Sequence, residues 1–152
     1  MPVSQASVLS PTEGETYRAG PFAIRARVLG AQAGGAFELY ELRLGPATID
    51  YHVHRNMDET IFVLEGEIEF VVAGETFLRP AGSVAFVTRG VHHGFTNRGP
   101  AEARVLIHFN PSGDQHEYFR ALEGLFAASV LDKGALAALQ KRYDQELITS
   151  DR

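Results

Sequence analysis

The chain has 152 residues, 45% apolar and 22% charged, with a formal net charge of −5 and no cysteine. This describes one soluble domain, large enough to bury about 70% of its extended-chain surface. The acidic balance disfavours nucleic acid, which needs concentrated Lys and Arg, and the lack of cysteine excludes disulfides, thiolate metal ligands and a cysteine nucleophile. Met1 to Ala6 carry neither a basic nor an apolar leader segment, and the longest apolar runs fall short of a membrane span. A cytoplasmic protein without a membrane partner is expected.

Residues 1–20 read as an extended arm or an added edge strand. Phe22–Val28 alternates apolar and polar residues, Gly34-Gly35 marks a turn, and Phe37–Leu44 reads as the next strand before Gly45-Pro46. Tyr51–His54 reads as a strand and Arg55–Asp58 as a short turn. Ile61–Leu64 and Glu67–Val72 flank Glu65-Gly66, a hairpin signal. Ala73-Gly74 turns again into Thr76–Leu78, and Arg79–Gly82 leads to Val84–Val87. Thr88–Gly90, His93–Thr96, Arg98–Pro100 and Val105–Phe109 complete the series. Many short strands separated by Gly and Pro at this spacing predict an all-β sandwich or barrel over about residues 20–110. The pattern then changes. Ser112 with Gln115 has the form of a capping box, followed by Tyr118, Phe119, Leu122, Leu125 and Phe126 at helical spacing. Asp132 is placed to cap a second helix carrying Leu136, Leu139, Tyr143 and Leu147. These helices, over about residues 112–148, are too small for a domain of their own, so residues 1–152 form one domain. The helices cover the barrel or build a subunit contact.

The chemistry-bearing residues are His52, His54, Glu59 and His93. Alternate side chains on a strand share a face, so His52 and His54 point one way and Val53 the other. Glu59 returns to the same place after the Arg55–Asp58 turn, and His93 must come from another strand. Three imidazoles and a carboxylate suit one divalent ion, Fe, Ni, Mn, Co or Zn. They leave it a formal charge of about +1, open to an anionic oxygen. Isolated His-x-His pairs are often solvated turn residues; the added Glu and His favour a metal site.

The spacing also resembles a known family. Gly45-(six residues)-His52-x-His54-(four)-Glu59-(six)-Gly66 resembles the first cupin motif, and Gly82-(five)-Thr88-x-Gly90-x-x-His93-(three)-Asn97 the second. The departures are one extra residue before His52 and Thr88 where proline is usual; neither touches a ligand. The resemblance implies a cupin double-stranded β-helix (a jelly-roll barrel) with two C-terminal α-helices, one metal ion per chain, and a homodimer. The likeness is to small single-domain cupins related to quercetinases.

Within that frame His93 is the ligand and His92, on the opposite face, lies at the rim or outside. Phe95 shares the face of His93, and Ile61 and Val63 that of Glu59, so these three are candidate pocket walls. His108 is either a substrate-side group or an ordinary core or surface histidine. Tyr40, Tyr51, Tyr118 and Phe119 either close the barrel mouth or simply pack, and His116 is expected to be solvated. Ser83 lacks a nucleophile-elbow pattern, and no Gly-rich phosphate loop opens a helix.

Three functions are compatible with these residues. The first is a metal-dependent dioxygenase acting on an enediol or polyketide-like small molecule, with Glu59 as ligand and proton acceptor. The second is a cyclase or isomerase using the metal as a Lewis acid. The third is a small-molecule-binding barrel without turnover.

Overall fold

The computed structural model describes residues 6–149. Eleven strands and two helices follow one another as β1 (Thr16–Ala19), β2 (Phe22–Val28), β3 (Glu38–Leu44), β4 (Ala47–Val53), β5 (Asp58–Glu65), β6 (Glu67–Val72), β7 (Glu75–Pro80), β8 (Val84–Val87), β9 (His93–Asn97), β10 (Ala103–Asn110), α1 (Gln115–Ala127), α2 (Lys133–Arg142) and β11 (Glu146–Leu147). One sheet has the order β1-β2-β3-β10-β5-β8 and the other β11-β4-β9-β6-β7. The expected jelly-roll barrel is therefore present. Of the segment expected to be an arm or edge strand, residues 1–5 lie outside the described residues, and Thr16–Ala19 is an edge strand on β2.

Alternation explains the strands. In β3, Glu38, Tyr40, Leu42 and Leu44 are buried while Leu39, Glu41 and Arg43 face outward. In β10, Ala103, Val105, Ile107 and Phe109 are buried. These inward residues meet Ile61, Ile68, Phe70 and Phe95 in one core between the sheets. The Ala73-Gly74 turn has φ of 50° and 82°, the positive pair that a two-residue hairpin requires.

Two details of the second sheet set the site. The β4–β9 register shifts between Ile49 and His52, a local irregularity of the kind that re-aims side chains beside active sites. Gly94 sits at this crossing, where an added Cβ would come within 2.7 Å of the Ile49 carbonyl oxygen. Only glycine lets the strands approach so closely, which brings His93 opposite His52.

The C-terminal part corrects two expectations. Ser112 does not cap α1: the cap position is Asp114, in the left-handed region at φ 51° and without a side-chain cap. Instead the carboxylate of the fully buried Glu38 accepts from Gly113 N at 2.7 Å and Gln115 N at 2.8 Å, and from the Tyr40 hydroxyl at 2.6 Å. A group from the barrel interior satisfies the helix start, and local spacing cannot reveal such a partner. Asp132 does cap α2, accepting from Ala135 N at 3.0 Å, but α2 ends at Arg142 and does not reach Leu147. Glu146 and Leu147 form a short strand against Val53 and His52, and Ile148 N donates to Tyr51 O at 2.9 Å. The open edge of β4 offers unpaired backbone groups, and pairing with them outweighs one more turn of helix. The two helices pack through Tyr118, Leu122, Phe126, Leu136 and Leu139 against Ala19 of β1. Among the described residues no helix is long and apolar enough to cross a membrane.

Candidate metal centre

His52 and His54 come from the end of β4 and the turn after it, Glu59 from β5 and His93 from the start of β9. All four are buried, at 2–3% exposure. His52 Nε2 lies 3.1 Å from His54 Nε2, and Glu59 Oε1 lies 3.1 Å from His54 Nε2 and 2.7 Å from His93 Nε2. The four ligand atoms are all within 4.8 Å of one another. Two ligand atoms about 2.1 Å from a common ion and at right angles to each other stand roughly 3 Å apart, so these distances suit a shared ion.

The outer ring nitrogens settle which atoms face inward. Nδ1 of His52 lies 2.6 Å from Asp50 O, that of His54 2.7 Å from Asp144 O, and that of His93 3.0 Å from Val91 O. A carbonyl only accepts, so each Nδ1 carries the hydrogen and each neutral ring keeps its lone pair on Nε2. Lone pairs and a carboxylate converging at these distances repel unless a cation or proton lies among them. The residues present therefore fit a divalent metal, and the group can hold one.

The electrostatics agree. Burial, then the charges of His93 and His54, lowers the His52 pKa to about 3, so its lone pair is free at neutral pH. Burial opposes the charged form of His54, but the hydrogen bond to Glu59 and its charge, with Asp144, outweigh burial and raise its pKa. Burial would raise Glu59, but the hydrogen bonds and charges of His54 and His93 hold it well below the usual carboxylate range. A proton shared between His54 and Glu59 thus meets the same need as a metal ion.

His52, His54 and Glu59 close one end of a cavity of about 170 Å³, with His93 behind them against Glu59. The cavity wall is rich in aromatic residues, with Phe22, Tyr40, Phe95, Phe109, Tyr118 and Phe119, and also includes Leu136, Gln140, Gln145 and Leu147. Among the described residues no Lys or Arg lines it, and its carboxylates are Glu59 and Asp50.

Phe95 lines the cavity. Ile61 and Val63 do not: they share the face of Glu59 but lie further along β5 in the closed core. Period two gives the face and not the depth, and Ile61 is about 7 Å along the strand from Glu59. His108 is also outside the cavity. Its neighbours Ile107 and Phe109 point inward, so it faces outward and stacks on Phe37, ring centroids 5.0 Å apart. His92 turns away from the centre and packs edge-on against Tyr51 at 6.0 Å. Tyr118, Phe119 and Tyr40 pack and line the cavity at once, whereas the hydroxyl of Tyr51 accepts from Gly74 N on the other side. His116 is half-buried against Glu117 at 3.1 Å rather than solvated. The sequence reading missed Phe109, Gln115, Gln145 and Asp144. Phe109 was legible from the alternation of β10; the other three depend on how the C-terminal segment returns to the barrel.

Residues 39–109 match the family model of the cupin domain. The chain carries a cupin domain. Over 63 residues this cupin is 35% identical to the polyketide synthase CurC of Streptomyces cyaneus, an alignment that covers 41% of each chain. Over 89 residues it is 32% identical to quercetin 2,3-dioxygenase of Bacillus subtilis (strain 168), covering 58% of this chain and 26% of that one. The chain thus spans less than half the length of either relative. The solved structure of KdgF from Halomonas sp. superposes with a TM-score of 0.66 at 17% identity, over 74% of this cupin and 99% of that chain. This last likeness is one of fold.

Proposed function

We propose that this cupin is a metal-dependent dioxygenase of quercetinase-like type, acting on a neutral aromatic or polyketide-like molecule that bears an acidic enol or phenol. The observation that carries this reading is an aromatic cavity, without Lys or Arg among the described residues, that ends on His52, His54 and Glu59 of the three-imidazole, one-carboxylate group. Phosphorylated or carboxylated substrates would normally meet a basic partner, and none lines this wall; flat apolar rings suit it. The relation to quercetin 2,3-dioxygenase supports the same class.

His52, His54, His93 and Glu59 would hold the ion. When bound, a divalent metal supplies the positive charge that stabilises an enolate oxygen and, if redox-capable, makes O2 reactive. The protein's own groups do the rest. The aromatic wall orients the ring and excludes water. Glu59, the buried carboxylate of the cavity, accepts the proton of the substrate hydroxyl, whereas Asp50 is exposed. The three carbonyl-bound Nδ1 atoms keep the imidazoles from turning during the reaction.

Protein loaded in turn with Fe, Ni, Mn and Co, and mixed with flavonols and other enediols, is expected to consume O2 with at least one pair. No uptake with any pair removes the oxygenase reading. A second reading, a polyketide cyclase using the metal as a Lewis acid, is favoured by the identity to CurC. Turnover of a polyketide-like substrate under argon with Zn would select it.

A further inference from the structure

The three imidazoles are not held alike. His52 and His93 each donate Nδ1–H to a carbonyl two residues back, at Asp50 and Val91. His54 donates instead to Asp144 O, 90 residues further along the chain. Asp144 adopts the left-handed conformation, φ 65°, and its two ends act on the same place. While its carbonyl takes the ring of His54, its carboxylate accepts from Arg55 N and Asn56 N, each at 2.8 Å, and from Asn56 Nδ2 at 3.2 Å. One residue therefore holds both a ligand ring and the backbone turn that joins His54 to Glu59. The following residues continue the contact. Glu146 and Leu147 pair with Val53 and His52, while Gln145 and Leu147 form part of the cavity wall. Residues 144–147 lie outside residues 39–109, which match the cupin model.

We propose that Asp144 is a positioning residue of the metal centre, and that the segment 144–148 links metal loading to the ordering of this part of the cavity wall. The proposal rests on the reading that the His52, His54, Glu59 and His93 group holds a metal. Without the Asp144 carbonyl, the His54 ring is free to flip or to move its hydrogen to Nε2, and either change removes a ligand. Without the carboxylate, two backbone N–H groups of the turn lose their acceptor, and the turn no longer sets the spacing between His54 and Glu59. Because coupling is reciprocal, a metal that locks His54 also steadies the segment that holds it.

The test uses the full chain and Co²⁺ alone. Affinity is measured against a competing chelator, the visible absorption of bound Co²⁺ reports the ligand geometry, and hydrogen exchange is followed at the amides of Arg55, Asn56 and Ile148. Asp144→Gly keeps the left-handed backbone and removes the carboxylate. It is expected to weaken Co²⁺ binding about 10- to 100-fold, the usual loss for an outer partner of a ligand, and to alter the absorption. Asp144→Asn tolerates the same backbone and retains an acceptor, so it should recover most of the affinity. Asp132→Ala, which weakens the α2 cap but touches neither His54 nor the turn, should leave affinity and spectrum unchanged. In the unsubstituted chain, Co²⁺ should slow exchange at all three amides. Wild-type affinity and spectrum in Asp144→Gly would overturn the role of Asp144. Should that variant not fold, unchanged exchange on Co²⁺ addition to the unsubstituted chain would overturn the proposal equally. No Co²⁺ binding by the unsubstituted chain is a separate result: it overturns the metal reading itself.

Discussion

The barrel and the C-terminal segment reach the same centre by different routes. His52 and His93 are oriented locally, by carbonyls two residues back in the chain. His54 and the α1 N-terminus are held by groups far off in sequence, Asp144 in one case and Glu38 in the other. Strand geometry brings ligands to one face at no further cost. A ring that must face a given way after the strand has ended needs a partner from elsewhere. The C-terminal segment supplies it and also lines the cavity, through Gln145 and Leu147.

Four measurements break or sharpen this contrast. Glu59→Gln tests the barrel side and should give the largest effect: a loss of turnover on the order of 10²–10⁴ if it accepts the substrate proton. A pure binding barrel would instead keep its ligand affinity with little change. Next is Glu38→Ala, which strands the Tyr40 hydroxyl and the amides of Gly113 and Gln115 in a buried site. At roughly 1–3 kcal/mol per unmet group, urea unfolding should show a loss of several kcal/mol. A loss near that of an ordinary surface cap would mean that α1 does not depend on the barrel.

The third is pH. In the metal-free protein His52 stays neutral down to about pH 3, whereas the unfolded chain takes a proton near 6.5. Unfolding therefore binds a proton, and stability should fall as pH drops from 6.5 toward 3, by at most about 1.4 kcal/mol per pH unit. Glu59 adds to this loss below its ordinary value of 4.5. His54 has the opposite sign: its raised pKa gives stability that is full below 6.5 and lost as pH rises through its folded value. Denaturant midpoints of the metal-free protein should fall off on both sides of about pH 6.5, and His52→Gln should flatten the acid side. The smallest effect belongs to Asp132→Ala, about 1 kcal/mol for the loss of a local N-cap, read by thermal melting.

The His52, His54, Glu59 and His93 group was legible because its two signals are local: His-x-His on one strand face, and Gly-bounded turns that fix where the next strand begins. Phe95 followed from the same period of two. Ile61, Val63 and His108 show the limit of that rule. Two share the correct face but sit too deep, and the third lies on the wrong face of a strand whose inward residues are Ile107 and Phe109. The Ser112–Gln115 box failed because a buried carboxylate from β3 outcompeted it. The extension of α2 to Leu147 failed because β4 had an open edge to fill.

The order of chain residues alone determined the β-rich barrel, the helical C-terminal third and the four side chains at its chemical centre, because period, turn residues and caps act over a few residues. Tertiary structure alone decided which nitrogen of each histidine faces inward, which apolar residues border the cavity, and how the last residues return to β4. Those features depend on contacts between groups tens of residues apart, and no local pattern encodes which distant carbonyl or carboxylate will arrive.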